Sequence, residues 1–294
     1  MPTKRPTLRH IANLWTLMGH PAPDPEWPLR QKLAAIKEAG FDGVCWAGSQ
    51  ELSDGLREFE LIFVGGMSSG NAKEFPDTLA GLKQCGARHI NVQLADHDTT
   101  TERALELATA LMQEGERLGV EPAVETHRDT CTETPEKAYA LSDAYERCTG
   151  RLLPLSLDFS HFAVVKHLAP RDFASRLLVR PDLVKRAQQF HFRPFNGHHA
   201  QVPVTDGHGQ LTAEVRDWLP FAEAVFRCWL EANGDSDREI FVCPEMGPLA
   251  GGYSLSSFPN SWEDAKRLRC EIERLWQRVT DEASGASTSE RAGP

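Results

Sequence analysis

Short apolar runs alternate with longer amphipathic stretches from one end of this chain to the other, and that alternation restricts the fold more than any other feature. Runs of strand character cover His10–Met18, Asp42–Trp46, Glu60–Val64, His89–Leu94, Pro122–His127, Leu153–Asp158, Gln189–Arg193 and Glu239–Glu245. Between them, LRQKLAAIKEAG (29–40) places Leu, Ala and Ile at helical spacing and ends on Gly, a common helix stop. TTERALELATALMQEGERLG (100–119) opens on Thr, carries one apolar face and closes on Gly. TPEKAYALSDAYERC begins with Thr-Pro-Glu, a helix-start pattern, and WLPFAEAVFRCWLEANG and SWEDAKRLRCEIERLWQRV supply the last two helices. The helical pattern near 50–58 and 170–187 is fainter. Strands separated by helices pair in parallel, because a crossover of that length returns the chain to the same end of the sheet.

Eight such units predict closure into a (β/α)8 barrel, an α/β fold, as one domain over residues 1–281; the Ser/Gly/Ala-rich stretch 282–294 is expected to be disordered. An open doubly wound sheet is the alternative, but its GxGxxG signal after the first strand is absent. The formal net charge of −10 argues against nucleic acid as a partner. The seven cysteines are scattered without a CxxC pair, which suits reduced thiols. The N-terminus lacks the apolar core of a signal peptide, and no run of about 18 apolar residues exists to span a membrane. A cytoplasmic location is the expectation.

In a barrel of this kind the reactive groups sit where strands end and the following loops begin. Late in the chain those positions repeat a theme. Strand five ends PAVETHRD, with Glu125 and His127; strand six ends LSLDFSHF, with Asp158 and His161. Strand seven reads QFHFRP, with His191 and Arg193, and strand eight ends IFVCPEMGP, with Glu245. Residues two apart on a strand share a face, so Glu125 with His127, and His191 with Arg193, can both look into the mouth. Each has a plain structural reading as well: a carboxylate closing a strand often caps the next helix, and a lone His on an apolar strand is often a hydrogen-bonded core residue. Together they are harder to dismiss. Three carboxylates on one half-buried rim repel one another and lose solvation, and a divalent cation relieves both costs. Oxygen-dominated ligands favour Mn²⁺ or Mg²⁺, with Co²⁺, Fe²⁺ and Zn²⁺ as alternatives.

This pattern resembles the xylose isomerase-like barrel superfamily, the sugar phosphate isomerases/epimerases. In the ketose 3-epimerases of that group, strands five to eight supply Glu, Asp, His and Glu to one metal, and the matching positions are Glu125, Asp158, His191 and Glu245. The Asp-x-x-His segment of the group matches Asp158–His161, implying substrate contact by His161, and Arg193 corresponds to an Arg that follows the strand-seven His. The resemblance is strong from strand four onward and topological before it. The extra His127 and the loop FNGHHAQVPVTDGHG after strand seven depart from the epimerase pattern.

A metal polarising an α-hydroxy carbonyl would stabilise an enediolate, with Glu125 and Glu245 as base and acid. Return of the proton to the opposite face gives epimerisation, and return to the adjacent carbon gives isomerisation. The expected activity is therefore a metal-dependent isomerase or epimerase of a small sugar, and a homo-oligomer is what the resemblance implies by superfamily habit. The alternative is a metal-dependent lyase, breaking C–C or C–O bonds of an oxidised sugar or sugar acid; an apurinic endonuclease is a remote third, and a non-enzymatic sugar-binding barrel another. Arg193, His127, Gln93, Asn91 and Trp46 are the candidate substrate contacts. For Trp46 and Trp15, core packing is the stronger expectation than sugar stacking. GGMSSG (65–70) reads as a flexible loop rather than a phosphate cradle; PLAGGYS follows strand eight, where barrel phosphate sites often lie, and is a second, minor phosphate candidate. His198, His199 and His208 read as a solvated loop that folds over the mouth.

Overall fold

The computed structural model describes residues 5–283. Eight parallel strands close into one barrel in sequence order. They are β1 (Thr7–Asn13), β2 (Gly43–Trp46), β3 (Ile62–Ser69), β4 (His89–Leu94), β5 (Glu121–Glu125), β6 (Leu155–Leu157), β7 (Gln189–His191) and β8 (Glu239–Cys243), with β8 paired back to β1. The helices are α1 (Leu29–Glu38), α2 (Gln50–Glu58), α3 (Phe75–Gln84), α4 (Thr101–Leu118), α5 (Pro135–Thr149), α6 (Phe159–Val165), α7 (Phe173–Leu177), α8 (Pro181–Arg186), α9 (Ala213–Asn233) and α10 (Ser261–Ala283). The (β/α)8 expectation holds. Of the expected tail, Glu282 and Ala283 belong to α10, and 284–294 lie outside the described residues. Among the described residues no helix is long and apolar enough to cross a membrane.

Period-two alternation explains how the barrel is filled. Ile90, Val92 and Leu94 of β4 pack in the shell under the helices, with Val124 of β5, Leu155 and Leu157 of β6, Phe190 and Phe192 near β7, and Ile240 and Val242 of β8. The intervening residues point the other way, into the barrel. On the β8–β1–β2–β3 side they are apolar: Ile11, Cys45, Val64 and Phe241 form a separate inner cluster. On the β4–β7 side they are polar: His89, Asn91, Glu125, Ser156, Gln189 and His191 are all buried. The helices start and stop as their residues dictate. Thr100, Thr134 and Thr212 cap α4, α5 and α9 through their side chains, and Gly119 and Gly150 end α4 and α5 in the left-handed conformation.

Several boundaries differ from expectation. The first strand stops at Asn13, because the Asn13 side chain accepts the Trp15 amide (3.0 Å) and turns 14–17 into a 3₁₀ helix. GGMSSG is not a flexible loop: 65–69 continue β3, paired from Gly65 with Ile90 to Ser69 with Leu94, since β4 offers a full ladder alongside. Residues 170–187 break at Pro181 into short helices rather than one. Trp46 is not packed in the core; it closes β2 at the barrel mouth and remains 37% exposed. Trp15 sits on the 3₁₀ turn and lies edge-on to Tyr253. Gly247 and Gly251 make room for its indole, since a Cβ at either position would come within 2.4 Å of the ring.

At the opposite end of the barrel, burial lowers the His89 pKa from 6.5 against the pull of nearby Glu121, and the ring packs on Phe241. The folded chain therefore resists a proton that the unfolded chain accepts. Stability is unaffected above the unfolded pKa and falls as pH drops below about 6.5. His89→Gln is expected to flatten this part of the pH–stability curve relative to the unmodified chain, as measured by urea unfolding from pH 7.5 to 5.

Candidate metal centre

The inward residues nearest the carboxyl ends of the strands converge on one point. The backbone around them is fixed by threonines. Thr132 Oγ1 donates to the Glu125 carbonyl, while Thr126 Oγ1 donates to the Asp158 carbonyl (3.0 Å) and accepts the Asp158 amide (2.8 Å), locking the end of β5 to the end of β6. Glu125, Asp158, His191 and Glu245 are all buried, and one ligand atom from each lies within 4.8 Å of all the others.

The three carboxylates share a division of labour. One oxygen of each is held by a neutral donor: Glu125 Oε2 by Asn91 Nδ2 (2.8 Å), Glu245 Oε1 by Asn13 Nδ2 (2.6 Å), and Asp158 Oδ1 by the Ser160 amide (2.9 Å). The last bond makes Asp158 the cap of α6 as well, so the structural and the functional readings of this residue are both satisfied. The second oxygens meet positive groups. His191 Nδ1 lies 3.0 Å from Glu125 Oε1 and 3.4 Å from Glu245 Oε2, without hydrogen-bond geometry to either. Arg193 Nη2 donates to Asp158 Oδ2 (2.5 Å) and Glu245 Oε2 (2.7 Å).

Burial works against charge here, and the neighbours overcome it. Arg193, then His161 and His191, hold the Asp158 pKa at about 2 despite complete burial. Glu125 is also held well down, chiefly by His191. Burial opposes the charge on His191, but Glu125 and Glu245 raise its pKa well above 6.5. His161 goes the other way: burial takes it down to about 4, so its ring is neutral at pH 7. A buried histidine nitrogen facing two carboxylate oxygens, with three carboxylates turned to one point, fits a hard divalent cation, and this group could hold one.

The remaining candidates fall into two groups. Asn91, Gln93 and Trp46 line a cavity of about 270 Å³ together with Asn13, Met67, Ser68, Glu125, His191 and Glu245. His127, His161 and Arg193 stand apart from it, around Tyr253. The His127 and His161 rings are 4.6 Å apart, and the guanidinium of Arg193 lies 4.3 Å from the Tyr253 ring centre. Asn13 and Tyr253 were missed from the sequence. Asn13 is signalled by a lone amide in the apolar run IANLWTL. Tyr253 has no such signal, since it arrives from the loop after β8. That loop is tied to the loop after β7 by Gln201, whose amide pairs with both the N–H (2.6 Å) and the carbonyl (3.0 Å) of Gly247. His198, His199 and His208 are solvent-exposed, as expected.

No family model and no curated protein sequence matches the chain. Solved structures do. An L-ribulose 3-epimerase superposes with a TM-score of 0.64 at 14% identity, over 97% of this chain and 100% of the other. The fold is that of the xylose isomerase-like barrels. A D-allulose 3-epimerase from Methylomonas sp., in complex with D-allulose, gives 0.58 at 14% identity, over 94% and 99% of the two chains. A xylose isomerase-like barrel protein from Mycobacterium smegmatis, in complex with magnesium, gives 0.53 at 15% identity, over 93% and 98%.

Removing a group that orients a metal ligand typically weakens metal affinity about 10–100-fold. If the group holds an ion, Asn13→Ala is therefore expected to raise the Kd for Mn²⁺ by roughly that factor, and Asp158→Asn, which removes one of its negative charges, by more. Calorimetric titration of chelator-treated protein checks both.

Proposed function

We propose that this chain is a divalent-metal-dependent isomerase or epimerase of a small polyhydroxylated carbonyl compound, with Glu125, Asp158, His191 and Glu245 as ligands and Mn²⁺ or Mg²⁺ as the ion. Two neighbours are sugar epimerases, one of them holding D-allulose, and a further neighbour, a xylose isomerase-like barrel protein, holds magnesium; these support the reading of substrate and metal. Such an ion polarises a carbonyl and steadies negative charge on the oxygens beside it.

One observation carries the proposal. Glu125 and Asn91 come from β5 and β4, and Glu245 and Asn13 come from beyond β8 and from β1. In a closed barrel of eight strands these two pairs of neighbouring strands are diametrically opposed. Both amide–carboxylate pairs nevertheless line the same cavity. Each glutamate thus turns one oxygen to the cation and presents the other, steadied by an asparagine, to a substrate between them. Glu125 Oε2 and Glu245 Oε1 are the atoms assigned to carry the proton. Both carboxylates are held below the usual glutamate pKa, so either can begin as the base. A base on one side and an acid on the other invert the carbon between them. Trp46 offers the substrate an apolar face, and Gln93 and Ser68 offer hydroxyl partners. Neutral His161 stands beside Asp158 and orients a substrate oxygen, while Arg193 is engaged with Asp158 and Glu245.

The test is incubation of the metal-loaded protein in D₂O with a panel of ketoses and keto-sugars, read by NMR. Epimerised or isomerised product with solvent deuterium at the reacting carbon is expected. Glu125→Gln and Glu245→Gln, assayed with metal occupancy verified, should each lower turnover about 10²–10⁴-fold. At least one of them should still exchange a proton without inverting the carbon. Release of a fragment or of water would instead make the chain a lyase.

A further inference from the structure

The position of Arg193 does not fit a side chain that waits for substrate. Among the described residues it is the largest charged one that is fully buried, and it is 1% exposed. One nitrogen, Nη2, makes both of its ion pairs, to Asp158 Oδ2 and Glu245 Oε2. These are the oxygens left after Ser160 and Asn13 have taken the other two. Nε and Nη1 are buried and have no hydrogen-bond partner. A guanidinium built as a permanent strut uses its planar fork, with parallel bonds from two nitrogens to a carboxylate. Here a single N–H₂ group reaches between two carboxylates while the rest of the fork goes unsatisfied.

Two further contacts describe a holder for this side chain. The Arg193 guanidinium lies 4.3 Å from the centre of the Tyr253 ring, and Arg128 lies 4.5 Å from the same ring. The Tyr253 hydroxyl is itself buried without a partner. The aromatic face already touches the guanidinium while Nη2 pairs with the carboxylates, and such a face stabilises the charge in its own right.

From this geometry, and resting on the metal site proposed above, we infer that Arg193 is a resident cation that competes with the metal ion for Asp158 Oδ2 and Glu245 Oε2, so that the ion binds only as the guanidinium withdraws along Tyr253. An ammonium-like N–H₂ and a divalent ion cannot both occupy the short gap between those two oxygens. Arg193 keeps the two carboxylates together and charge-balanced before the ion enters, and its withdrawal becomes a step in metal loading.

Stopped-flow mixing of chelator-treated protein with Mn²⁺, read through quenching of tryptophan fluorescence, tests this without any assay of turnover. In the unmodified chain the observed rate should level off at high Mn²⁺, at the rate of guanidinium withdrawal. In Arg193→Met it should rise linearly with Mn²⁺, and the Kd should fall at least tenfold. A variant that merely lost a nearby positive charge would bind more tightly but keep the plateau, and that result overturns the inference. So does weaker binding in Arg193→Met, which would make the arginine a support for the ligands. If Arg193→Met does not fold, Tyr253→Ala decides: removal of the aromatic holder should change the plateau rate at least threefold, and an unchanged plateau overturns the inference. Failure of both the unmodified chain and the variants to bind any divalent ion sinks the metal site as well. Metal binding with linear kinetics in the unmodified chain sinks only the role of Arg193.

Discussion

Three ionised carboxylates crowd into one buried point at the mouth of this barrel, and the surrounding architecture answers that repulsion. Two unit charges about 4 Å apart cost about 4 kcal/mol at the effective dielectric of a protein site, and two carboxylates held together without relief would leave one protonated. The protein instead depresses Glu125, Asp158 and Glu245 together. It does so with a histidine ring that lies against Glu125 and Glu245 and an arginine clasped by Asp158 and Glu245. Breaking a buried pair of this kind costs about 3–5 kcal/mol, because the partner left behind stays buried and charged. The threonines that stitch β5 to β6 and the amides of Asn13 and Asn91 then become intelligible: they hold in place groups that would otherwise move apart.

Much of this was legible in the sequence because two periodicities carried it. HINVQL shows its two faces directly, with Ile90, Val92 and Leu94 going to the shell and His89 and Asn91 to the interior. The same alternation placed Glu125, Asp158, His191 and Glu245 on one rim. What the sequence obscured has a common cause. Asn13 ends β1 by folding its side chain back on Trp15, a local competition between side chain and backbone that an apolar run conceals. GGMSSG looked like a loop because glycine is poor in strands, but the ladder supplied by β4 outweighs that local preference. Tyr253 reaches the site from a loop whose path depends on Gln201 and on the fit of Trp15 against Gly247 and Gly251, contacts between residues far apart in the chain. Arg193 lies beside the carboxylates of Asp158 and Glu245 rather than in the cavity, and which acceptors it would find depended on distances between strands.

The interior is divided in a way that suits the proposed chemistry. Ile11, Cys45, Val64 and Phe241 fill one side of the barrel with apolar atoms, and burial takes the Cys45 thiol up to about 12, leaving it uncharged beside Glu125 and Glu245. Polar side chains line the other side. The cavity lies where the two meet, with Trp46 and Met67 facing amides and carboxylates. A polyol has the same two-sided character, with C–H faces between hydroxyl groups, and such a cavity can hold it by both.

Closure of the sheet is what turns these parts into a two-sided site. In an open sheet β1 and β5 would lie several strands apart on one surface, and the pairs Asn13–Glu245 and Asn91–Glu125 would face the same direction. Pairing β8 with β1, from Thr7 with Glu239 to His10 with Val242, brings Asn13 alongside Glu245 and sets both across the mouth from Asn91 and Glu125. Opposition of the two amide–carboxylate pairs is therefore a property of strand number and order rather than of any one side chain. In the proposed reaction Glu125 and Glu245 can be chemically alike and still act on opposite faces of one carbon, because the barrel, not the residue, distinguishes them.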